Sequence, residues 1–210
     1  MPLLIKQYIE EDCLLGIWNI TETFDELISK VTLQPEELEI MNSFGNEPRK
    51  IEWLSVRVLL RELAEKDLMI IYNDNNKPFI QGNTYQISIS HSHNLSSILL
   101  SKKRKVGIDL EYMSQRINKI ANKFINENEA ITTDEALRRT QLYIYWCAKE
   151  ALYKICDKQG INFKTHLTIE PFEPQDNGVL TGYVHNIFWD DKFKLHYFKF
   201  DNYIIVYTTK

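Results

Sequence analysis

The stretch Val106-Gly107-Ile108-Asp109-Leu110-Glu111 constrains this chain more than any other. Side chains alternate across a strand, so Val106, Ile108 and Leu110 share one face and Gly107, Asp109 and Glu111 the other. One face belongs to a core. The other presents two carboxylates about 7 Å apart along the strand. Beside them sits a glycine whose missing Cβ lets something bulky approach the backbone. Two anions this close repel, so they need a cation, a proton or a basic partner. Lys102, Lys103, Arg104 and Lys105, just upstream, are the nearest basic side chains in the sequence.

What could fill that need is bounded by composition. At 210 residues, 44% hydrophobic and 26% charged, the chain has the profile of a soluble globular protein with length to bury a core. A net charge of −4 supplies no global field toward nucleic acid or anionic lipid, so neither nucleic acid nor membrane is expected as a partner. Any polyanion must be held by a local basic patch. Cys13, Cys147 and Cys156 are odd in number and lack C-x-x-C spacing, which argues against a disulfide framework and a structural zinc site. The opening apolar run is too short for a signal peptide, and no run reaches ~18 apolar residues. A cytoplasmic protein is expected.

In the first half, 3–9 and 13–20 read as strands around the acidic turn Glu10-Glu11-Asp12. Thr23 is a candidate cap for a short helix, and Pro35 opens another, to about Phe44. A longer helix is expected from about Pro48 to Lys66. On it Lys50, Arg57 and Arg61 form a basic stripe flanked by apolar residues, costly to bury unless an anion or an acidic partner meets it. Leu68–Tyr72 and a return at Lys77-Pro78-Phe79-Ile80 flank an Asn-rich turn, and Pro78 keeps Lys77 extended. Gln86–Ser92 and Ser96–Leu100 are further strands. His91 and His93 lack a third metal ligand nearby, so His91 reads better as a donor to an anion than as a metal ligand. The polar run Ser101–Lys105 divides the chain into halves at 1–103 and 104–210.

After the acidic strand, Arg116, Lys119 and Lys123 recur at helical spacing opposite Ile117, Ile120 and Phe124. Thr132-Thr133-Asp134-Glu135 has the capping-box pattern and starts the main helix, expected to end near Gly160. Its apolar stripe is Leu142, Tyr145, Trp146, Leu152, Tyr153 and Cys156. Lys149 projects into the middle of that stripe, where an ion pair or a ligand must compensate it. Glu150 lies on the edge, with Lys154 one turn beyond. From Thr168 the chain is β-rich: 179–184, 193–200 and 203–208 read as an antiparallel sheet behind the main helix. Similar proportions of helix and strand in both halves suggest a duplicated unit.

Val106-Gly107-Ile108-Asp109-Leu110-Glu111, followed about 35 residues later by Trp146-Cys147-Ala148-Lys149-Glu150-Ala151-Leu152-Tyr153-Lys154, resembles the signature of the 4′-phosphopantetheinyl transferases of the surfactin-synthetase-activating type. That signature is G-[IV]-D-x-E, then [WF]-x-x-K-E-[AS]-x-x-K. The likeness extends to Ser90-His91-Ser92, Lys77-Pro78, the helix around Arg57, Phe124 and Glu129. It covers roughly residues 48 to 165, the two ends matching only in general character.

The resemblance implies an α+β fold, a pseudo-dimer of two similar α/β halves with the active site in the cleft between them. It implies transfer of 4′-phosphopantetheine from coenzyme A to a serine of an apo acyl or peptidyl carrier protein, releasing adenosine 3′,5′-bisphosphate. Asp109, Glu111 and Glu150 match the acids that hold Mg²⁺ on the pyrophosphate, and Lys154 matches a phosphate-neutralising lysine. Arg57 and His91 match residues facing the 3′-phosphate, and Lys77 with Pro78 matches the adenine-side turn. On this pattern the first half handles the 3′-phosphate and adenine, and the second carries the metal site and a carrier-facing helix. Carriers of this class are acidic, so Arg116, Lys119 and Lys123 form a candidate docking face. Two departures stand out: Asn76 replaces the usual Gly before Lys-Pro, and His93 follows the His-Ser pair where a small residue is common.

The chemistry agrees with these residue types. Attack by a serine hydroxyl on a pyrophosphate builds charge on oxygen, which Mg²⁺ offsets, and Mg²⁺ prefers carboxylates, phosphates and water. The serine proton goes to Glu150 or to a metal-bound water oriented by Glu111, and the sequence leaves both open. Two rivals remain. A Mg²⁺-dependent phosphohydrolase would release nucleotide from coenzyme A without a carrier, and a non-catalytic scaffold would bind carrier without modifying it.

Overall fold

The computed structural model describes residues 2–157, 160–188 and 190–210. The chain divides into two compact units, Met1–Arg104 and Lys105–Lys210.

In the first unit, β1 (Leu3–Glu10) and β2 (Cys13–Asn19) form a hairpin, and β5 (Gln86–Ser92) and β6 (Leu95–Ser101) complete an antiparallel sheet of order β1-β2-β6-β5. Between the hairpins lie α1 (Phe24–Ile28), α2 (Pro35–Ser43), α3 (Glu47–Ala64) and the small ladder β3 (Ile70–Tyr72) with β4 (Pro78–Ile80). Thr23 caps α1 reciprocally: its hydroxyl accepts from Glu26 N–H, and the Glu26 carboxylate accepts from Thr23 N–H at 2.8 Å. Asn46 accepts from Arg49 N–H to start α3, which stops where Glu65 turns left-handed at φ 58°. The helix lays Leu54, Leu59 and Leu60, all fully buried, against Trp18 and Ile98 of the sheet.

Both departures from the expected pattern fall on left-handed backbone. Asn76 has φ 56° in the β3–β4 turn and His93 has φ 56° in the β5–β6 turn. Asn is the residue other than Gly best suited to that region, and His is also enriched there. Asn76 therefore fills a glycine position without breaking the turn that presents Lys77.

The second unit begins with β7 (Val106–Tyr112), then α4 (Arg116–Phe124) and α5 (Glu135–Ile155). β8 (Leu167–Ile169), β9 (Asn177–His185), β10 (Asp190–Phe200) and β11 (Tyr203–Thr209) follow, giving an antiparallel sheet of order β7-β11-β10-β9-β8. α5 packs over β7 and β11, and its fully buried Leu142, Ala148 and Leu152 share a core with Leu195, Ile204 and Val206. Its N-cap is Asp134, whose carboxylate accepts from Ala136 and Leu137 N–H. The helix ends at Ile155, short of the expected Gly160, because Asp157 takes the left-handed turn at φ 60° first. Each unit thus pairs an antiparallel sheet with a long helix, a mixed α/β architecture.

Candidate active site

The geometry starts at Gly107. A Cβ built there would lie 2.2 Å from the Ala151 carbonyl oxygen and 3.1 Å from Ile155 Cβ, so the bulky neighbour that the glycine admits is the backbone of α5. The Gly107/Asp109/Glu111 face of β7 therefore lies against a helix, and Asp109 is only 4% exposed. The opposite face is buried as well, with Ile108 and Leu110 fully inaccessible. β7 is thus covered on both sides as far as Leu110, as a buried strand with a glycine on its acidic face requires.

α5 supplies the partners of the two acids. Lys154 Nζ donates to Asp109 Oδ1 at 2.7 Å and to the Ile108 carbonyl at 3.0 Å. Trp146 Nε1 donates to Glu111 Oε1 at 3.4 Å. Residues four apart on a helix stack along one ridge. Trp146, Glu150 and Lys154 form such a ridge, with Glu111 against its first member and Asp109 against its last. Glu150 holds the middle place, half-buried, one turn from each. The upstream basic run contributes elsewhere: Arg104 pairs with Glu10 and Asp12, and the Lys105 amide pairs with the Lys210 carbonyl.

Beneath the ridge, Cys147 is fully buried and its thiol donates toward the Ile204 carbonyl at 3.8 Å. Burial, reinforced by the charges of Asp109 and Glu111, pushes the thiol well above its ordinary value, so it stays protonated and chemically quiet.

Lys149 is the helix's fixing point. Fully buried, it donates to the Phe124 carbonyl, to Glu129 Oε2 at 2.8 Å and to the Phe163 carbonyl at 3.0 Å. All three ammonium donors are thereby used. Glu129 also accepts from the amides of Asn126 at 3.0 Å and Ile169 at 2.9 Å. Burial pulls the lysine below its ordinary value and the Glu129 charge opposes that. The expected compensation for a lysine in an apolar stripe is thus an internal ion pair, which ties the end of α4, the 126–129 turn and β8 to α5.

In the first unit, His91 is exposed at the end of β5, with Nδ1 3.0 Å from Glu52 Oε2 and Nε2 3.4 Å from Arg49 Nη1. Arg57 lies deeper. It is 4% exposed, its Nε donates to Glu37 Oε1 of α2 at 2.9 Å, and its guanidinium rests 3.1 Å over the Trp53 ring. Burial draws it below its ordinary value, opposed by Tyr72 and Glu37. Of the basic stripe, then, Arg57 meets an acidic neighbouring helix, and Arg61 reaches the Lys30 carbonyl and Asp67. Lys50 borders a cavity of about 180 Å³ lined by Phe24, Phe44, Asn46 and Glu47. Lys77 is held through its backbone: its N–H donates to Asn73 Oδ1 at 2.9 Å and Pro78 opens β4. Arg116, Lys119 and Lys123 are exposed on α4 while Ile117 and Phe124 are buried beneath.

The structure brings together Asp109, Glu111, Trp146 and Lys154, with Glu150 on the same ridge. Among the described residues, no group of three or more His, Cys, Asp or Glu is placed to hold a metal ion by itself. The donor set is nonetheless all carboxylate, which suits Mg²⁺: that ion takes one or two protein carboxylates and completes its shell with substrate phosphates and water. The apolar stripe of α5 assigns Trp146 to the core and gives its N–H no role, although the i+4 row of Trp146, Glu150 and Lys154 is legible in the sequence. Arg49 and Glu52, the partners of His91, carry no such signal, since nothing in the local pattern links α3 to β5.

Residues 105–208 match the model of the 4′-phosphopantetheinyl transferase superfamily, so the second unit is a domain of that superfamily. The match includes the β8–β11 sheet, where the sequence motifs show only a general likeness, and does not reach residues 48–104. The chain is also similar to 4′-phosphopantetheinyl transferase AcpT of Salmonella typhi, 30% identical over 112 residues, which is 50% of this chain and 58% of that protein. It thus spans little more than half the length of that relative. Among the described residues, no helix is long and apolar enough to cross a membrane.

Proposed function

We propose that this chain transfers the 4′-phosphopantetheine group of coenzyme A to a serine of an apo acyl or peptidyl carrier protein, releasing adenosine 3′,5′-bisphosphate, as a Mg²⁺-dependent cytoplasmic enzyme of the surfactin-synthetase-activating type. The observation that carries the reading is the docking of Asp109 and Glu111 against the Trp146–Glu150–Lys154 ridge, within the stretch that matches the superfamily.

Asp109 and Glu111, with Glu150, would hold the ion. When bound, Mg²⁺ neutralises the charge that develops on the pyrophosphate and keeps the leaving group in line. Lys154, which donates to Asp109 Oδ1 beside these acids, would neutralise a phosphate oxygen of the substrate. Glu150, or a water oriented by Glu111, accepts the serine proton. Glu129, the other acid near α5, cannot serve as that base, because it is buried against Lys149 with both oxygens already accepting hydrogen bonds. His91, with Arg49 beside it, and Lys77 face the nucleotide end of coenzyme A. Arg57, steadied by Glu37 of α2 and by Trp53, supplies a further cation toward the 3′-phosphate, its Nη2 making no hydrogen bond among the described residues. Arg116, Lys119 and Lys123 receive the acidic carrier.

The test is intact-mass analysis of apo acyl and peptidyl carriers incubated with coenzyme A, Mg²⁺ and this protein. One carrier should gain the mass of a single phosphopantetheine group, and Asp109→Ala should abolish the gain while retaining the fold. Nucleotide release with no change in any carrier would instead favour a phosphohydrolase. Charge reversal at Arg116, Lys119 and Lys123 should weaken carrier binding and spare coenzyme A; equal loss of both would remove the docking face.

A further inference from the structure

We infer that Trp146 is a positioning residue for Glu111, its indole N–H fixing the orientation of that carboxylate ahead of metal binding. The inference rests on the proposed metal role of Glu111. A tryptophan needed only for packing could present any edge to its surroundings. Trp146 presents Nε1 to Glu111 Oε1, and indole N–H is a donor with no acceptor capacity, matched to a carboxylate.

The ring is held for this purpose from two sides. Phe124 meets it edge-on, with centroids 5.2 Å apart at 67°, and Phe163 lies at 5.5 Å and 39°. The backbones of those same two phenylalanines are anchored one turn along α5, where Lys149 takes both of their carbonyls as well as Glu129. A continuous set of contacts therefore runs from the buried Lys149–Glu129 pair, through Phe124 and Phe163, to the indole and on to Glu111. At 3.4 Å the last bond is long, as catalytic hydrogen bonds often are before ligands bind. Its occupation of Oε1 restricts the rotation of a flexible side chain that is half-buried at the end of β7. Groups that orient metal-binding acids in this way commonly alter metal affinity 10- to 100-fold.

Trp146→Phe in the full chain keeps the aromatic packing and removes the donor. Binding of Mn²⁺ in the presence of coenzyme A, followed by loss of the free-ion electron paramagnetic resonance signal, should weaken about 10-fold or more. The metal concentration for half-maximal transfer should rise by a similar factor, while KM for coenzyme A at saturating metal holds. Unchanged Mn²⁺ affinity in the variant, with the wild type binding, overturns the inference alone. Absence of Mn²⁺ binding by the wild type overturns the metal reading and this inference with it. Should the variant fail to fold, the ¹⁵N-indole resonance of Trp146 in Glu111→Ala decides. It must move from its wild-type position, and an unmoved resonance overturns the inference.

Discussion

Replacing Gly107 with alanine tests the contact that sets the distance between the acid-bearing strand and its helix. The added Cβ would sit 2.2 Å from the Ala151 carbonyl oxygen, whereas ordinary van der Waals contact begins near 3.4 Å. The obstacle is backbone, not a side chain that can swing away, so α5 must retreat from β7 by roughly 1 Å or the strand must bend. Overpacking of this kind costs about 1–3 kcal/mol. For a chain of this size each kcal/mol lowers Tm by about 2–4 °C, so a fall of several degrees is expected. Activity should suffer more than stability. The retreat carries the Trp146–Glu150–Lys154 ridge away from Asp109 and Glu111, and a misplacement of about 1 Å can cost on the order of 100-fold in rate. Thermal unfolding by circular dichroism and the intact-mass transfer assay measure the two effects separately. An alanine variant with wild-type Tm and wild-type rate would refute the close approach of α5 and the reasoning built on it.

Three further outcomes follow from other contacts. Lys149→Met strands Glu129 as a buried unpaired charge and should cost about 3–5 kcal/mol in denaturant unfolding, whereas adding Glu129→Gln should recover part of that loss; no recovery would mean the two are uncoupled. Cys13, Cys147 and Cys156 are all fully buried, so iodoacetamide should label none of them in the native protein and all three after denaturation, as read by mass spectrometry. The Ser101 hydroxyl, aided by the Lys103 amide and Arg104, holds Asp12 below the ordinary carboxylate value. Its stabilisation is therefore present above that ordinary value and is lost as pH falls through the lower folded one, so Asp12→Asn should flatten the acid limb of the unfolding curve.

Much of this arrangement could be read from local pattern. The alternation of 106–111 foretold β7, and the β-rich tail foretold β9 to β11. Thr23, the first-turn Pro35 and the capping-box pattern of 132–135 foretold three helix starts, although the last helix is capped by Asp134 and forms no box with Thr132. Helix ends were harder, because glycine is the default left-handed residue but Glu65 and Asp157 took that role here. Partners distant in sequence were hardest. Arg57 sits in a basic stripe that calls for an anion or an acidic partner, and the pattern alone does not say that Glu37, 20 residues away on α2, takes its Nε. Lys149 announced that a buried lysine needed compensation, but its three oxygens come from separate segments. Trp146 looked like one more apolar residue because its value lies in a single N–H, and only β7 laid alongside α5 reveals what that bond is for.

The most direct measurement is the anomalous scattering of Mn²⁺ in crystals grown with coenzyme A. The account predicts one ion within coordination distance, about 2.0–2.3 Å, of carboxylate oxygens from Asp109 and Glu111, with Glu150 and the coenzyme A diphosphate on the same ion and Lys154 moved to a phosphate. A diphosphate bound with no ion on these acids, or an ion held elsewhere while Lys154 stays on Asp109, would contradict it.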